Sequence, residues 1–163
     1  MTLDARTDMP VSLTVNGRRT AGIVPVRQTL AGYLREELGL TAVHLGCEQG
    51  SCGACTVRVD GEVMRACLVL AVQAEGCVVE TPEGFSGDPA MDRLRERFAT
   101  RNALQCGFCT GGMLVAARDL LAREPRPSRH AIREAISGHV CRCTGYEAIV
   151  DAIEAASHGG TAP

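Results

Sequence analysis

Three cysteines lie within nine residues of one glycine-rich stretch, CEQGSCGAC, at positions 47–55. A fourth cysteine downstream completes the spacing C-x4-C-x2-C-x11-C, formed by Cys47, Cys52, Cys55 and Cys67. Thiolates at this spacing can hold a metal centre, and the opening of the pattern matches plant-type 2Fe–2S ligand sets. Glycines allow close backbone approach, so that N–H groups can point at the sulfurs of an anionic cluster. The alternative is a tight turn with buried, inert thiols.

A second set of four cysteines has the spacing C-x2-C-x31-C-x1-C and consists of Cys106, Cys109, Cys141 and Cys143. The C-x2-C half would suit a tetrahedral zinc site. The C-x-C half suits zinc poorly, because ligands one residue apart tend to point away from each other. Both halves lie between predicted helices, whose N-termini would present N–H groups to an anionic cluster. The pattern favours an iron–sulfur cluster and leaves zinc open.

Composition bears on the choice between metal binding and a disulfide framework. The 163 residues are 45% hydrophobic and 22% charged, which is typical of a folded globular protein. A net charge of −2 and an aromatic content of 3% disfavour nucleic-acid binding. The first 17 residues lack the apolar core of a secretory signal, and no apolar run is long enough for a membrane helix. We therefore expect a cytoplasmic protein, in which nine cysteines hold metal rather than disulfides.

The first half of the chain predicts a small α+β domain, at residues 9–82. Two hairpins are expected, one over 11–24 around Asn16-Gly17 and one around Asp60-Gly61. Residues 30–40 have apolar residues at helical spacing, and 77–81 reads as a short strand. Cys77 on that strand is interpreted as a small buried hydrophobe outside both ligand sets.

The second half predicts an all-α domain, at residues 88–158. Residues 81–89, TPEGFSGDP, have the composition of a linker, and Asp88-Pro89 is a good helix start. Four short amphipathic helices follow and can bury their apolar stripes only against each other, which predicts a four-helix bundle. They are expected at 90–101, 111–124, 128–138 and 146–157.

Together these segments resemble the iron–sulfur subunit of the molybdenum hydroxylases, the xanthine oxidase family that includes aldehyde oxidoreductases and carbon monoxide dehydrogenases. The resemblance runs over about residues 11–157, and four motifs carry it. They are GCEQGSCGACTVRVDG (46–61), AC (66–67), QCGFCTGGM (105–113) and CRCTGYEAIVDAI (141–153). The resemblance implies a plant-type ferredoxin-like (β-grasp) domain followed by a four-helix bundle, each with one 2Fe–2S cluster.

The resemblance also implies a role for each candidate residue. Cys47, Cys52, Cys55 and Cys67 would hold a flavin-side cluster, and Cys106, Cys109, Cys141 and Cys143 a molybdenum-side cluster. Gln105 matches a glutamine that approaches the molybdopterin, and Cys143 would lie close to the pterin. Molybdopterin and FAD would be carried by a large and a medium partner subunit.

The sequence departs from the family pattern at Gly111, His139 and His44, and the stretch DPAMDRLRERF (88–98) also lacks the histidine and glutamine usual at the start of the first bundle helix. Gly111 stands where the family usually has proline, which we expect to leave that helix start looser. His139 replaces the usual asparagine and His44 the usual lysine. Neither histidine needs to be a ligand, because each predicted cluster already has four thiolates.

No dinucleotide, phosphate-loop or flavin motif occurs in the sequence, so substrate chemistry is expected on a partner. Clusters with four cysteine ligands offer no open position for substrate, which limits them to electron transfer. The sequence therefore predicts the electron-transfer subunit of an oxidoreductase complex. The alternatives are a free-standing ferredoxin-like carrier, disfavoured by the low net charge, and a zinc-stabilised interaction module.

Overall fold

The computed structural model describes residues 7–159. Strands β1 (Asp8–Val15) and β2 (Arg18–Pro25) form an antiparallel hairpin. Its two turn residues, Asn16 and Gly17, both have positive φ, at 50° and 76°. This is the turn predicted from Asn-Gly. The interpretation that no secretory signal is present depends in part on residues 1–6, which lie outside the described residues.

The sheet has five strands in the order β2-β1-β5-β3-β4. The second hairpin consists of β3 (Thr56–Val59) and β4 (Glu62–Arg65), turning at Asp60-Gly61 as expected, and β5 is Val78–Glu80. Strand β5 runs parallel to β1 and antiparallel to β3, so the sheet is mixed. Short 3₁₀ turns at Ala66–Leu68 and Ala71–Ala74 carry the chain from β4 to β5.

The helix predicted over 30–40 is present but is not regular. A single α-turn, α1 (Leu30–Gly32), passes into a π-helical turn at Tyr33–Glu37. Thr29 caps its start by accepting a hydrogen bond from the Gly32 amide. Leu30 and Leu34 are buried in the core of the N-terminal half, which fixes this helix on the sheet.

The segment predicted as a linker is more ordered than its composition suggested. Residues Pro82–Phe85 form a 3₁₀ turn, and Phe85 is buried in the core of the helical half. Arg95 donates a hydrogen bond to the Pro82 carbonyl, and Asp88 caps the next helix through the amides of Ala90 and Met91. The connection is therefore packed against the domain it leads into.

Four helices make up the second half: α2 (Pro89–Thr100), α3 (Thr110–Arg123), α4 (Arg129–Ile136) and α5 (Glu147–Ser157). Helix α2 packs against α3 and α5, and α4 packs against the same two helices. Their shared core contains Met91, Phe98, Met113, Ile132 and Ile153. A ferredoxin-like domain is thus followed by a helical domain, as predicted. Among residues 7–159, no helix has the length and apolar character required to cross a bilayer.

The two domains contact each other through α3, which packs against β3 and β4. A Cβ added to Gly111 would lie 2.8 Å from the Ala42 carbonyl oxygen of the first domain. The absence of a side chain at Gly111 therefore lets the start of α3 approach the first domain closely, while the expected looseness of that helix start stays a prediction. A proline ring there would meet the same carbonyl.

Candidate metal centres

The first cysteine set is held mainly by one loop. Cys47, Cys52 and Cys55 lie between the π-helical turn and β3, and Cys67 lies in the 3₁₀ turn after β4. Gly50 and Gly53 of this loop have φ of 81° and 77°, which favours glycine. The backbone of the loop therefore reverses direction at these glycines, and the loop lies against the turn that carries Cys67.

The environment of Cys47 stabilises a thiolate. The Ser51 hydroxyl and the amides of Gln49 and Cys52 donate to its sulfur and lower the pKa of the Cys47 thiol to about 6. The Cys52 amide lies 3.3 Å from that sulfur. Donors arranged around a sulfur in this way would stabilise the negative charge of a bound cluster.

Cys55 lies deeper, next to Cys67. Burial raises the pKa of the Cys55 thiol to about 11, and the adjacent Cys67 contributes to the rise. A thiol in this environment stays protonated at neutral pH unless a metal cation replaces its proton.

The second set is assembled from two segments between helices. Cys106 and Cys109 lie between α2 and α3, with Cys109 at the N-cap of α3. Cys141 and Cys143 lie between α4 and α5. Although distant in sequence, the Cys106 and Cys143 sulfurs are 3.6 Å apart. Cys109 and Cys141 face each other within hydrogen-bonding range. Burial raises the pKa of the Cys109 thiol to about 12, and the neighbouring Cys141 contributes to the rise.

Hydroxyl groups surround Cys141. Burial opposes a thiolate there, but the Thr144 hydroxyl and amide outweigh it and keep the pKa of Cys141 below its usual value. The Thr144 oxygen is 3.2 Å from the sulfur. The Cys141 amide donates to the Tyr146 hydroxyl at 2.8 Å, and that hydroxyl donates to the His139 carbonyl.

Within each set the thiols lie beside one another in pairs, and the two pairs are themselves neighbours, since Cys52 acts on Cys55 and Cys106 acts on Cys109. The pairs are Cys47 with Cys52, Cys55 with Cys67, Cys106 with Cys143, and Cys109 with Cys141. Within residues 7–159, no three histidine, cysteine or acidic side chains converge on a position for a single metal ion. Two neighbouring pairs of thiols match a centre with two irons, each taking two thiolates. The donor set fits a 2Fe–2S cluster.

The second set reaches the surface. Cys106 and Cys143 are exposed, whereas Cys55, Cys67 and Cys109 are buried. Gln105 is exposed beside them, and its side-chain amide donates to the Cys143 carbonyl at 3.0 Å. The two residues that the resemblance assigns to a pterin therefore lie together.

The ninth cysteine lies away from both sets. Cys77 is half-buried at the edge of the first domain's core. Hydrogen bonding to Asp60, followed by burial, raises the pKa of its thiol.

Sequence reasoning missed the polar residues around the cysteines, including Ser51, Thr144 and Tyr146. Each lies within five positions of the cysteine that it contacts. A search for hydroxyl side chains within five positions of the predicted ligands would have found all three.

Comparison with known proteins agrees with this organisation. A 2Fe–2S iron–sulfur cluster binding domain matches residues 13–82, and a second [2Fe–2S] binding domain matches residues 81–154.

Individual proteins match most of the chain. The nicotine 6-hydroxylase small subunit of Paenarthrobacter nicotinovorans is 48% identical over 88% of this chain and 86% of its own length. The caffeine dehydrogenase subunit gamma of Pseudomonas sp. (strain CBB1) is 47% identical over 90% of each. The crystal structure of quinoline 2-oxidoreductase from Pseudomonas putida 86 contains a chain that superposes with a TM-score of 0.88 at 52% identity. That match covers 93% of this chain and 95% of the other.

Proposed function

Because the chain belongs to the family of 2Fe–2S iron–sulfur subunits of the molybdenum hydroxylases, we propose that each of its two cysteine sets holds one 2Fe–2S cluster. The ligands of the first cluster are Cys47, Cys52, Cys55 and Cys67. The ligands of the second are Cys106, Cys109, Cys141 and Cys143. The observation that carries the proposal is the arrangement of eight thiols as four adjacent pairs, two pairs to a site.

The chain is an electron-transfer subunit of a multi-subunit oxidoreductase. When bound, 2Fe–2S clusters with complete cysteine ligation accept and release single electrons and have no open position for substrate. The protein holds the thiols in pairs, points amides and hydroxyls at their sulfurs, and buries three of them away from water. Substrate oxidation takes place on a partner.

We take the domains as residues 9–82 and 88–158. Two matches to 2Fe–2S domains, which meet at residues 81–82, support this division. We also describe the second domain as a four-helix bundle, since α2 and α4 each pack on both α3 and α5 around one core.

We propose that the helical domain faces a large molybdopterin subunit and the first domain a medium FAD subunit. The exposed Cys106, Cys143 and Gln105 support the first contact, because a relay must approach its donor. Apolar side chains exposed nearby in sequence, Phe108 and Val140, would be covered by such a partner. We place the complex in the cytoplasm, where thiols stay reduced.

We further propose a nitrogen heteroaromatic compound as the substrate class of the complex. Nicotine, caffeine and quinoline, which give three of the relatives their names, all contain such a ring. A panel of pyridines, quinolines and purines should reduce the complex, with aliphatic aldehydes as the comparison. Reduction by aldehydes alone would overturn this assignment.

The cluster assignment is tested by purifying the complex through a tag on this chain and measuring its metals. We expect about four iron and four labile sulfide per chain, since two 2Fe–2S clusters contain that number. Molybdenum should co-purify through the large subunit. Stoichiometric zinc without sulfide would overturn the proposal and favour an interaction module. A tagged chain that carries iron but brings down no partner would favour a free carrier.

A further inference from the structure

The segment that leads into Cys141 lies directly against the first ligand loop. The Val140 amide donates to the Cys52 carbonyl at 2.8 Å, and one Arg65 guanidinium nitrogen donates to the Gly138 carbonyl at 2.9 Å. His139 stands between these two contacts and is only 3% exposed. A residue of the second domain is therefore enclosed by the ligand loop and by strand β4 of the first domain.

The hydrogen bonds of His139 are fixed by Thr56. The Thr56 hydroxyl lies 2.6 Å from the Gly53 carbonyl, which can only accept, so its single proton goes there. The same oxygen accepts from Arg65 at 2.7 Å and meets His139 Nε2 at 3.0 Å. His139 must then donate through Nε2, which the neutral ring can do.

The ring also fills the space next to Gly53. A Cβ added to Gly53 would lie 2.6 Å from His139 Cδ2 and 2.6 Å from the Gly138 carbonyl oxygen. A side chain at position 53 could not share this space with His139, so the ring packs beside a residue that has to be small. The His139 ring thus makes a hydrogen bond to Thr56 and leaves no room for a side chain at Gly53.

His44 makes a second contact between the two ligand regions. Its ring stacks on Phe108 with centroids 4.7 Å apart and planes 17° from parallel. Its Nδ1 lies 2.9 Å from the Phe108 carbonyl, which requires the proton on that nitrogen. His44 is three residues before Cys47, and Phe108 directly precedes Cys109. Both histidines that depart from the family pattern therefore join one cysteine set to the other.

We propose that His139 is a positioning residue that sets the separation between the two metal sites, with His44 making a second contact between the two ligand regions. The inference rests on the proposed function, because it presumes that both cysteine sets are loaded. His139 binds no metal in this arrangement. It acts through Thr56 and Gly53, which flank two of the first set's cysteines, and through Val140, which precedes the second set's Cys141.

The test compares three variants of the purified complex: His139→Ala, His139→Asn and His130→Ala. Asparagine can still donate to Thr56, whereas alanine cannot. His130 is a matched control, since its side chain is 80% exposed on α4. Iron and sulfide are measured first, then the magnetic splitting between the two reduced clusters by electron paramagnetic resonance, amide exchange at Val140, and turnover.

We expect His139→Ala to keep its iron, change the splitting, and exchange the Val140 amide faster. Its turnover should fall, because an electron passes between two clusters more slowly as their separation grows. His139→Asn should restore the splitting, and His130→Ala should leave every measurement unchanged. A residue that only stabilised the fold would lower the melting temperature without moving the splitting of the folded complex.

An unchanged splitting in iron-loaded His139→Ala would overturn the inference while leaving the proposed function intact. The absence of two cluster signals from the unmodified complex would instead overturn the proposed function. If His139→Ala does not assemble, Thr56→Val can be used instead, because it removes the hydroxyl that bonds to His139. It should change the magnetic splitting in the same way. Loss of iron from both variants would also overturn the inference, because these residues would then be needed to build the sites rather than to space them.

Discussion

The two cysteine sets reach similar thiol pairings by different routes. The first depends on one glycine-rich loop and a nearby 3₁₀ turn, all within residues 47–67. The second depends on helix packing, which brings Cys143 within 3.6 Å of Cys106 from a segment beyond α4. A local loop can be recognised from its spacing, whereas a site made by packing needs the arrangement of the whole domain. The comparison predicts that the first set is sensitive to changes in its loop and the second to changes in helix packing.

The largest effects should come from ligand substitutions. Cys141→Ser should remove the helical domain's cluster and spare the other, because separate residues hold the two sites. Cys52→Ser should do the reverse. Each variant should retain about two of four iron atoms, and turnover with an external acceptor should collapse in both.

Anaerobic addition of substrate distinguishes the two variants. The surviving cluster should be reduced promptly in the Cys52 variant and stay oxidised in the Cys141 variant. The opposite result would reverse the proposed order of the two domains.

The next-largest effect should be a loss of stability in Gly53→Ala. The residue has φ of 77°, and a Cβ would meet the Gly138 carbonyl, so we expect a loss of about 4 kcal/mol from backbone strain and overpacking. Gly61→Ala is the matched control, with φ of 88° and open space around it, and should cost only about 1.5 kcal/mol. Urea denaturation of the iron-loaded chain measures both. Equal losses of stability in Gly53→Ala and Gly61→Ala would show that the contact between Gly53 and Gly138 does not contribute to stability.

Gly111→Pro tests the second set's dependence on packing. Proline usually suits a first helical turn, but here it would meet the Ala42 carbonyl of the first domain. We expect a loss of about 2 kcal/mol from overpacking, measured by the same urea titration. A gain in stability would mean that the domains can move apart at no cost.

Asp88→Ala should destabilise the helical domain by about 2 kcal/mol through loss of a helix cap and a partly buried pair with Arg118. Burial acts to raise the pKa of Asp88, but the Met91 and Ala90 amides and Arg118 outweigh it and hold the pKa below its usual range. The charge therefore stabilises the fold above the unfolded-state pKa, and this contribution is lost as pH falls through the folded-state pKa.

Urea titrations of Asp88→Ala and the unmodified chain should accordingly converge in acid. The exposed Asp92 provides the control, and Asp92→Ala should change stability by no more than about 0.5 kcal/mol. A difference for Asp88 that persists unchanged into acid would exclude its charge as the cause.

The smallest effect is expected for Cys77→Ser. This thiol lies outside both sets, so the iron content should stay at about four per chain. Loss of either cluster would show that the ligand assignment is wrong. Cys67→Ser, at a ligand position, should lose about half the iron in a parallel metal analysis.

The features that could be predicted from the sequence are those that depend on residues close together in the chain. Asn16-Gly17 and Asp60-Gly61 specified the hairpins because their positive φ angles suit few other residues. The cysteine spacing predicted both ligand sets. The π-helical turn at Tyr33–Glu37 and the burial of Phe85 depend on packing against distant residues, which no local pattern records.

The histidines show the same limit at the candidate site. His139 contacts Thr56 across 83 positions, and His44 contacts Phe108 across 64. Sequence comparison marked both as departures without giving them a role. Both contacts join the two domains, which also pack together where α3 lies on β3 and β4.

The placement of Cys143 beyond α4 has a consequence for synthesis. A nascent chain completes its first ligand set at Cys67, when the strands of the first hairpin and β3–β4 have already been made. The second set is complete only after α2, α3 and α4 have been translated and the chain has reached the segment before α5. Since domains of a growing chain fold from the N-terminus onward, the first site can receive its cluster on the ribosome while the second is still an isolated Cys106–Cys109 pair.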